Sequence, residues 1–283
     1  MEAKLEVREL SKRYGDFSLE KLSFSLERGT ITGFIGENGA GKTTTLSALL
    51  GLIKPDSGEI FLDGKKVKSL SGIQAVSYLE SNRDLYSSVS MKEYKRFISR
   101  VYKKDWSEEK YQYYMKKFGV ETSKRIKDLS TGMRLKFYLA IELSKQPDLI
   151  LLDEPTSGLD PLARLELLKI LRAMVEREKT TILFSSHITS DIERISDKVI
   201  FLHQGRILLD LNEKEIEEQY RAIDKSKLEN LDQKSRQLMM DQGYHSGNRL
   251  IFQRDIVRDN EDITQSASLD EVFALLTGGK EID

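Results

Sequence analysis

The sequence predicts an α/β fold with a parallel sheet at its centre. In the second half of the chain, runs that are apolar except for a first polar residue in two of them lie at 149–152, 181–184 and 198–202. Segments of helical spacing alternate with them, at about 162–178 and 189–195. Strands that are apolar on both faces are typical of a parallel sheet that helices cover on both sides. A glycine-rich turn between an apolar strand and a helix, near the N-terminus, indicates the same class of fold.

The segment ahead of that turn predicts a small antiparallel sheet. Residues 4–26 alternate polar and apolar side chains, with a turn around Tyr14, as half-buried antiparallel strands do. An apolar strand at 31–35 leads into the glycine-rich turn, and a helix is expected at 43–50, where Gly51 ends it. Two further short strands are expected at 59–62 and 75–79.

Residues from about 90 to 145 have helical spacing, which predicts a helical insertion in the α/β fold. The insertion contains many aromatic side chains, including Trp106, the single tryptophan of the chain. An aromatic stripe at helical spacing is more often core, but aromatic residues also mark docking surfaces. Both interpretations of this stripe stay open.

The C-terminal part predicts a small accessory domain. A hairpin is expected around Gly205, and the sequence is charged and amphipathic at 213–240. A possible strand at 249–252 and a helix at 269–276 follow. We therefore expect two units, a main domain at 1–210 and an accessory domain at 211–283.

The composition excludes several classes of function. The 283 residues include 45 Lys and Arg against 46 Asp and Glu, so no bulk charge attracts nucleic acid, and we expect no nucleic-acid partner. There is no cysteine, which excludes disulfides, Cys-ligated metals and thiol catalysis within this chain. No signal-peptide pattern and no apolar run of about twenty residues is present, so we expect a cytoplasmic protein that reaches a membrane only through a partner.

The glycine-rich turn predicts a nucleotide site. Residues 36–44 read GENGAGKTT, which fits the phosphate-loop pattern G-x-x-x-x-G-K-[ST]. Glycines let backbone N–H groups wrap a triphosphate, Lys42 supplies a positive charge to the β- and γ-phosphates, and the Thr43 hydroxyl can join the ligands of Mg²⁺. We therefore predict that the chain binds ATP with Mg²⁺. The predicted nucleotide-binding residues of the loop are Gly36, Asn38, Gly39, Ala40, Gly41, Lys42, Thr43 and Thr44.

Two carboxylates end the apolar strand at 149–152. Asp153 and Glu154 could be ordinary solvated loop acids, but together with a phosphate loop they have a specific use. Asp153 can hold Mg²⁺ through water, and Glu154 can polarise the water that attacks the γ-phosphate.

Further motifs surround these acids. Residues 155–160 read PTSGLD and follow the acids, while LSTGM at 129–133 precedes them. With the phosphate loop, the paired acids and His187 at the end of a strand, their order resembles that of the ATP-binding cassette (ABC) ATPases over about residues 4–210. The resemblance implies a phosphate-loop NTPase fold with a RecA-like core, an antiparallel β subdomain, and a helical subdomain at about 90–145.

The resemblance also implies roles for single residues. Ser130 and Gly132 would bind the γ-phosphate of a nucleotide held by a second subunit, and Asp160 would line the subunit interface. His187, which alone could be a structural histidine, would be the switch histidine that contacts the γ-phosphate. Tyr14 lies where the family stacks an aromatic ring on adenine; the alternative is an exposed turn tyrosine.

Two motifs of this chain differ from the family pattern. The family usually carries a glutamine near Mg²⁺, where this chain has Ser81 or a neighbour, a side chain too short to span the same distance. The common signature is LSGGQ, and Thr131 and Met133 replace two of its residues here. The Ser130 hydroxyl and Gly132 amide are retained, so we expect a working phosphate clamp with altered affinity.

These features predict an ATP-hydrolysing subunit of an ABC transporter. Its expected partners are an integral membrane permease and a second nucleotide-binding domain, in a homodimer or a heterodimer, at the inner face of the cell membrane. The segment at 268–278 looks like the tail of bacterial exporter cassettes for drugs, antibiotics or peptides, which favours export. Two alternatives are a soluble ABC ATPase of translation, repair or cluster assembly, and a nucleotide-sensing partner of a more active subunit.

Overall fold

The computed structural model of the chain describes residues 2–80, 88–121, 125–256 and 264–278. The strands are β1 (Ala3–Tyr14), β2 (Phe17–Glu27), β3 (Ile31–Ile35), β4 (Ser57–Leu62), β5 (Lys65–Val67), β6 (Val76–Glu80), β7 (Leu149–Asp153), β8 (Thr181–Ser186), β9 (Lys198–His203), β10 (Arg206–Asn212), β11 (Tyr220–Asp224), β12 (Tyr244–Ser246), β13 (Arg249–Gln253) and β14 (Thr264–Ser266). The α-helices are α1 (Lys42–Leu49), α2 (Met91–Tyr102), α3 (Glu108–Phe118), α4 (Thr131–Ser144), α5 (Pro161–Glu178), α6 (Thr189–Ile195), α7 (Glu213–Gln219), α8 (Gln233–Gln242) and α9 (Leu269–Leu276). Short 3-10 helices lie at Ile126–Asp128, Lys225–Asn230 and Arg254–Ile256.

A six-stranded sheet forms the centre of the main domain, in the order β10-β9-β3-β8-β7-β6. The five strands from β9 to β6 are parallel, and β10 pairs antiparallel with β9. Every residue of β3, β7 and β8 is buried, as the continuous apolar runs require. The predicted α/β fold with a parallel sheet is confirmed. Parallel strands end at the same edge of the sheet, so the loops that follow β3, β7 and β8 meet there.

A second sheet, in the order β2-β1-β4-β5, is antiparallel throughout and packs against the central one. Apolar side chains of both sheets share one buried cluster, in which the ring of Phe24 lies 5.9 Å from that of Phe34. The ammonium of Lys4, almost fully buried, lies 3.0 Å from Asp63 and 3.2 Å from Asp148, which precedes β7. The contact with Asp148 ties the antiparallel sheet to β7 of the central sheet, whereas Asp63 lies in the turn between β4 and β5 of the antiparallel sheet itself.

The insertion between β6 and β7 is helical among its described residues, as the spacing predicts. Most of its aromatic rings are core: Tyr94 packs edge-on against Phe137 and Tyr138, and Trp106 lies 5.5 Å from Tyr111. The core interpretation therefore holds for these rings. The outer face of α2 differs, because it exposes large apolar side chains, of which Phe97 and Val101 are more than half exposed.

The insertion is attached to α5 by a small polar cluster. The hydroxyl of Tyr114 donates a hydrogen bond to Glu178, and the ammonium of Lys110 lies 2.7 Å from the same carboxylate. Burial and the bond to Glu178 raise the pKa of Tyr114 above its usual value. Burial raises the pKa of Glu178, but the bonds from Lys110 and Tyr114 outweigh it and leave the pKa below its usual value. The tyrosine therefore stays protonated and the glutamate ionised at neutral pH.

A third sheet, β12-β13-β11-β14, forms the accessory region. Met239 of α8 packs on one face of this sheet, with Leu250 and Phe252. The last helix, α9, returns to the main domain, where the ring of Phe273 lies 4.2 Å from that of Phe201 on β9. Because β10 continues to Asn212 within the central sheet, that sheet ends close to the predicted boundary at 210.

No helix in the described ranges combines the length and the apolar content needed to cross a bilayer.

We expect Phe273→Ala to destabilise the protein by about 3–5 kcal/mol, because the side chain is fully buried and its loss leaves a cavity against Phe201. Urea unfolding followed by circular dichroism measures this change. Met240→Ala on α8 is the control: its side chain is 45% exposed, so its effect should stay within about 0.5 kcal/mol. A loss below about 1 kcal/mol for Phe273→Ala would contradict a structural role of α9 in the main domain.

Candidate nucleotide-binding site

The phosphate loop connects the end of β3 to the first residue of α1 and lies against the β9–β10 hairpin. A Cβ atom at Gly36 would lie 2.2 Å from the backbone oxygen of Leu202, so no side chain fits there. Gly41 caps α1 with a φ of +111°, a conformation that favours glycine, and a Cβ atom there would lie 2.6 Å from Leu19. The amide of Gly205 donates a hydrogen bond of 2.9 Å to the Ala40 carbonyl. The hairpin therefore holds the loop in shape.

The side chain of Lys42 lies inside the loop. Its ammonium donates hydrogen bonds to the carbonyls of Gly36, at 2.6 Å, and Glu37, at 3.2 Å. It also lies 3.2 Å from Oε1 of Glu154, although the two residues are far apart in the sequence. Only 6% of the Lys42 side chain is exposed, so this buried charge is compensated by a carboxylate and two carbonyl dipoles.

The paired acids lie at the end of β7, beside β8. Asp153 is almost fully buried, and Ser185 on β8 donates a hydrogen bond of 2.6 Å to its Oδ1 atom. Glu154 has a φ of +50°, a conformation that costs free energy for a residue other than glycine. Its amide lies 3.1 Å from the Ser185 hydroxyl. Glu154 is therefore the first residue beyond β7, where the backbone leaves the extended conformation of the strand.

His187 follows β8 and reaches the same glutamate. Its Nδ1 atom lies 2.7 Å from Oε2 of Glu154. The two oxygens of Glu154 thus have different partners, Lys42 on one side and His187 on the other. The structure therefore brings three of the predicted residues into direct contact.

The oxygen donors near the loop fit a magnesium ion. Oδ2 of Asp153 has no hydrogen-bond partner within the described part of the chain, and the Thr43 residue in the first turn of α1 is exposed. Mg²⁺ prefers such oxygen ligands and usually takes few of them from the protein, with water and phosphate completing its shell. The described ranges contain no cluster of three or more His, Cys, Asp or Glu that could hold a metal ion.

The signature residues form a second cluster, at the N-termini of α4 and α5. Ser130 caps α4 by accepting a hydrogen bond from the amide of Met133, and Asp160 caps α5 by accepting from two amides at 3.0 Å. Gly132 faces Leu159, because a Cβ atom there would lie 3.6 Å from that side chain. Both capping residues are exposed, and a helix N-terminus attracts anions.

The remaining predicted residues lie at the end of β1, in the loop, in the first turn of α1 or outside the described residues. Tyr14 ends β1 and is 61% exposed, which suits either stacking on a base or a surface turn. Asn38 and Gly39 are exposed, and Thr44 is half-buried in the first turn of α1. Ser81, where the family glutamine is expected, lies outside the described residues.

Sequence reasoning missed two contributors to the site. One is Ser185, which the sequence marks only as a polar residue two positions before His187. The other is the β9–β10 hairpin, expected as a hairpin around Gly205 but without a link to the phosphate loop. Neither contact has a local sequence signal, because each joins segments that are distant in the chain.

Comparisons with known proteins identify relatives of this chain. A family model described as ABC transporter matches residues 19–157. The bacitracin transport ATP-binding protein BcrA of Bacillus licheniformis is 30% identical over 95% of this chain and 89% of that protein. The ABC transporter ATP-binding protein YtrB of Bacillus subtilis is 32% identical over 77% of this chain and 75% of that protein. The solved structure of cbiO1 from Clostridium perfringens, part of the ABC transporter complex cbiONQ, has a TM-score of 0.65 and 28% identity over 76% of this chain and 91% of that chain.

We expect Gly36→Ala to weaken nucleotide binding at least about tenfold, equivalent to about 1.4 kcal/mol, because the added methyl group overlaps the Leu202 carbonyl and displaces the loop. Titration with a fluorescent ATP analogue measures the affinity. Gly64→Ala, in the turn between β4 and β5, is the control: no atom lies within 4 Å of the added Cβ, and the strain from its φ of +72° falls on that turn and not on the phosphate loop. Unchanged binding by Gly36→Ala would contradict the described contact.

Proposed function

The chain belongs to the ATP-binding subunits of ABC transporters, which hydrolyse ATP to power transport, and on that premise we propose that it drives an exporter whose membrane-spanning part is a separate chain. One observation carries the catalytic part of the proposal: Glu154 lies between Lys42 of the phosphate loop and His187. The proposed base, the ammonium of Lys42 and the imidazole of His187 thus lie together at the ends of β7 and β8.

The contacts of Glu154 support a sequence of events at the site. When the γ-phosphate enters the loop, it replaces Glu154 as the partner of Lys42, because it carries more negative charge and several acceptor oxygens. Glu154 is then free to accept a proton from the attacking water. His187 keeps hold of the other carboxylate oxygen and so limits the rotation of the side chain. Bound nucleotide would therefore turn an ion-paired glutamate into a general base.

Thr43 and Asp153 are the proposed protein ligands of Mg²⁺, directly or through water. The bound ion would neutralise negative charge on the β- and γ-phosphates. Tyr14, exposed at the end of β1, is proposed to stack on the adenine. The loop residues Gly36, Asn38, Gly39, Ala40, Gly41 and Thr44 are proposed to surround the phosphates.

ATP-binding subunits of ABC transporters dimerise and work with membrane-spanning permease subunits. We propose that Ser130 and Gly132 of one copy close over the nucleotide of the other, with Asp160 at the interface. The exposed N-terminus of α4, where Ser130 is the cap, supports this, because a helix N-terminus attracts anions. The first amides of α5 are bonded to the Asp160 carboxylate, so Asp160 is proposed as an interface residue and not as a phosphate ligand. Thr131 and Met133 change the signature beside the two retained groups, so altered affinity is expected rather than loss.

The direction of transport rests on the relatives. The similarity to the bacitracin transport protein extends over nearly the whole chain, including the accessory region, and favours export of an antibiotic-like compound. The permease would hold the chain at the inner face of the membrane. A soluble role in translation, repair or cluster assembly has no support among the relatives described above, which are named as transport proteins. The net charge of -1 offers no attraction to nucleic acid.

We expect Glu154→Gln to slow ATP hydrolysis by about 100- to 10,000-fold while nucleotide binding is retained, because the amide cannot accept the proton. Phosphate release measures the rate. With ATP and Mg²⁺ this variant should accumulate as a dimer, detected by size-exclusion chromatography with light scattering. A second change, Ser130→Arg, should abolish that dimer.

Ser226→Arg provides the control for bulk, because Ser226 is also exposed but lies in the accessory region. It should leave the dimer of Glu154→Gln intact. If hydrolysis by the assembled transporter is unaffected by Glu154→Gln, the glutamate is not the base. If Ser130→Arg dimerises like its parent, the signature does not close the site.

Affinity purification from detergent-solubilised membranes should recover the chain together with an integral membrane protein of the permease type. The two proteins should be present in a constant molar ratio. The complex should show ATP hydrolysis that falls with Glu154→Gln. Repeated recovery without any membrane protein, together with ATP-dependent cosedimentation with ribosomes, would contradict the transport function.

A further inference from the structure

We propose that Ser185 is a positioning residue for the ATP site, which orients the carboxylate of Asp153 toward Mg²⁺ and sets the backbone of Glu154. This proposal deepens the proposed function and rests on it. Ser185 lies within β8 and is fully buried. Its hydroxyl touches both acids of the neighbouring strand end, at 2.6 Å from Asp153 and 3.1 Å from Glu154.

The directions of these two bonds follow from the groups involved. The Glu154 partner is a backbone N–H, which can only donate, so the Ser185 oxygen accepts there. The one hydroxyl proton is therefore left for Asp153, whose Oδ1 atom accepts it. A single buried hydroxyl thus connects the proposed metal ligand to the proposed base.

The parallel pairing of β7 with β8 makes these contacts possible. Asp153 and Ser185 are direct register partners, so their side chains emerge from the same face of the sheet. The Glu154 amide also lies 3.2 Å from the Ser185 carbonyl, beyond the last register pair. The serine therefore lies at the point where the ladder ends and the chain turns.

For Asp153, the bond selects which oxygen is available. Oδ1 is occupied by the serine, while Oδ2 has no hydrogen-bond partner within the described ranges. Groups that hydrogen-bond to a metal ligand fix its orientation, and their removal typically weakens metal binding by roughly 10- to 100-fold. Without the Ser185 hydroxyl, no hydrogen bond would fix which of the two Asp153 oxygens faces the metal site.

For Glu154, the bond supports an unfavourable backbone conformation. Its φ of +50° persists only if surrounding contacts hold it, and the amide has two acceptors on Ser185. This conformation places the carboxylate between Lys42 and His187. Loss of the hydroxyl removes one of the two acceptors.

Other buried serines of the same sheet differ from Ser185. The Ser186 hydroxyl accepts from the amide of Ile188, within the following loop. The Ser77 hydroxyl on β6 is buried and has no hydrogen-bond partner among the described residues. Ser77→Ala therefore removes the same group from the same sheet without touching either acid, which makes it a matched control.

The test measures the affinity of the full chain for a fluorescent ATP analogue, once with Mg²⁺ and once with EDTA. We expect Ser185→Ala to lower the affinity gained from Mg²⁺ by roughly 10-fold or more, with affinity in EDTA unchanged within about twofold. Ser185→Thr, which retains the hydroxyl, should restore most of the gain. Ser77→Ala should behave as the natural chain does. Should Ser185→Ala fail to fold, Ser185→Cys gives the same comparison, because a thiol donates only weakly.

Several results would overturn the proposal. Equal losses with Mg²⁺ and with EDTA would mean that Ser185 only maintains the shape of the loop. An unchanged Mg²⁺ gain in Ser185→Ala would mean that its hydroxyl does not orient Asp153, and an equal loss in Ser77→Ala would assign the effect to packing. If the natural chain itself gains nothing from Mg²⁺, the proposed Mg²⁺–ATP site fails as well, which separates that failure from one of Ser185 alone.

Discussion

The hydrogen-bonded register of three parallel strands is the constraint on which the site depends. β8 lies between β3 and β7, with Ser185 paired to Phe34 on one side and to Asp153 on the other. Because the strands are parallel, the loops that follow them emerge at one edge. A shift of one residue would turn the Asp153 side chain to the opposite face of the sheet. This register therefore brings the phosphate loop, the acids and His187 together.

The charges at this edge of the central sheet explain why Glu154 contacts Lys42. The buried ammonium of Lys42 requires compensation, and Glu154 and two loop carbonyls supply it. A γ-phosphate is a stronger partner of the same kind, so nucleotide binding and release of the glutamate are linked in the proposed mechanism. Binding of the substrate would thereby prepare the base that acts on it.

The outer parts of the chain attach to the same core. The helical insertion is tied to α5 through Glu178, and α5 begins at the Asp160 cap. The accessory region is tied to α6, whose Glu193 accepts a hydrogen bond of 2.6 Å from the amide of Leu269. Since α6 begins two residues after His187, the accessory helix α9 lies beside the segment that follows the histidine. The arrangement makes the three regions parts of one packed structure.

The sequence by itself determined the features that are local. The phosphate loop, the acids at a strand end, the helices of the insertion and the helix at 269–276 each follow from the spacing of neighbouring residues, and the family resemblance follows from their order. Only the tertiary structure decided the contact of Lys42 with Glu154, the two bonds of Ser185 and the packing of Phe273 on Phe201. These contacts depend on which strands are neighbours and in which register. Many strand orders satisfy the same local pattern, and the free energy that selects one comes from long-range burial and hydrogen bonding.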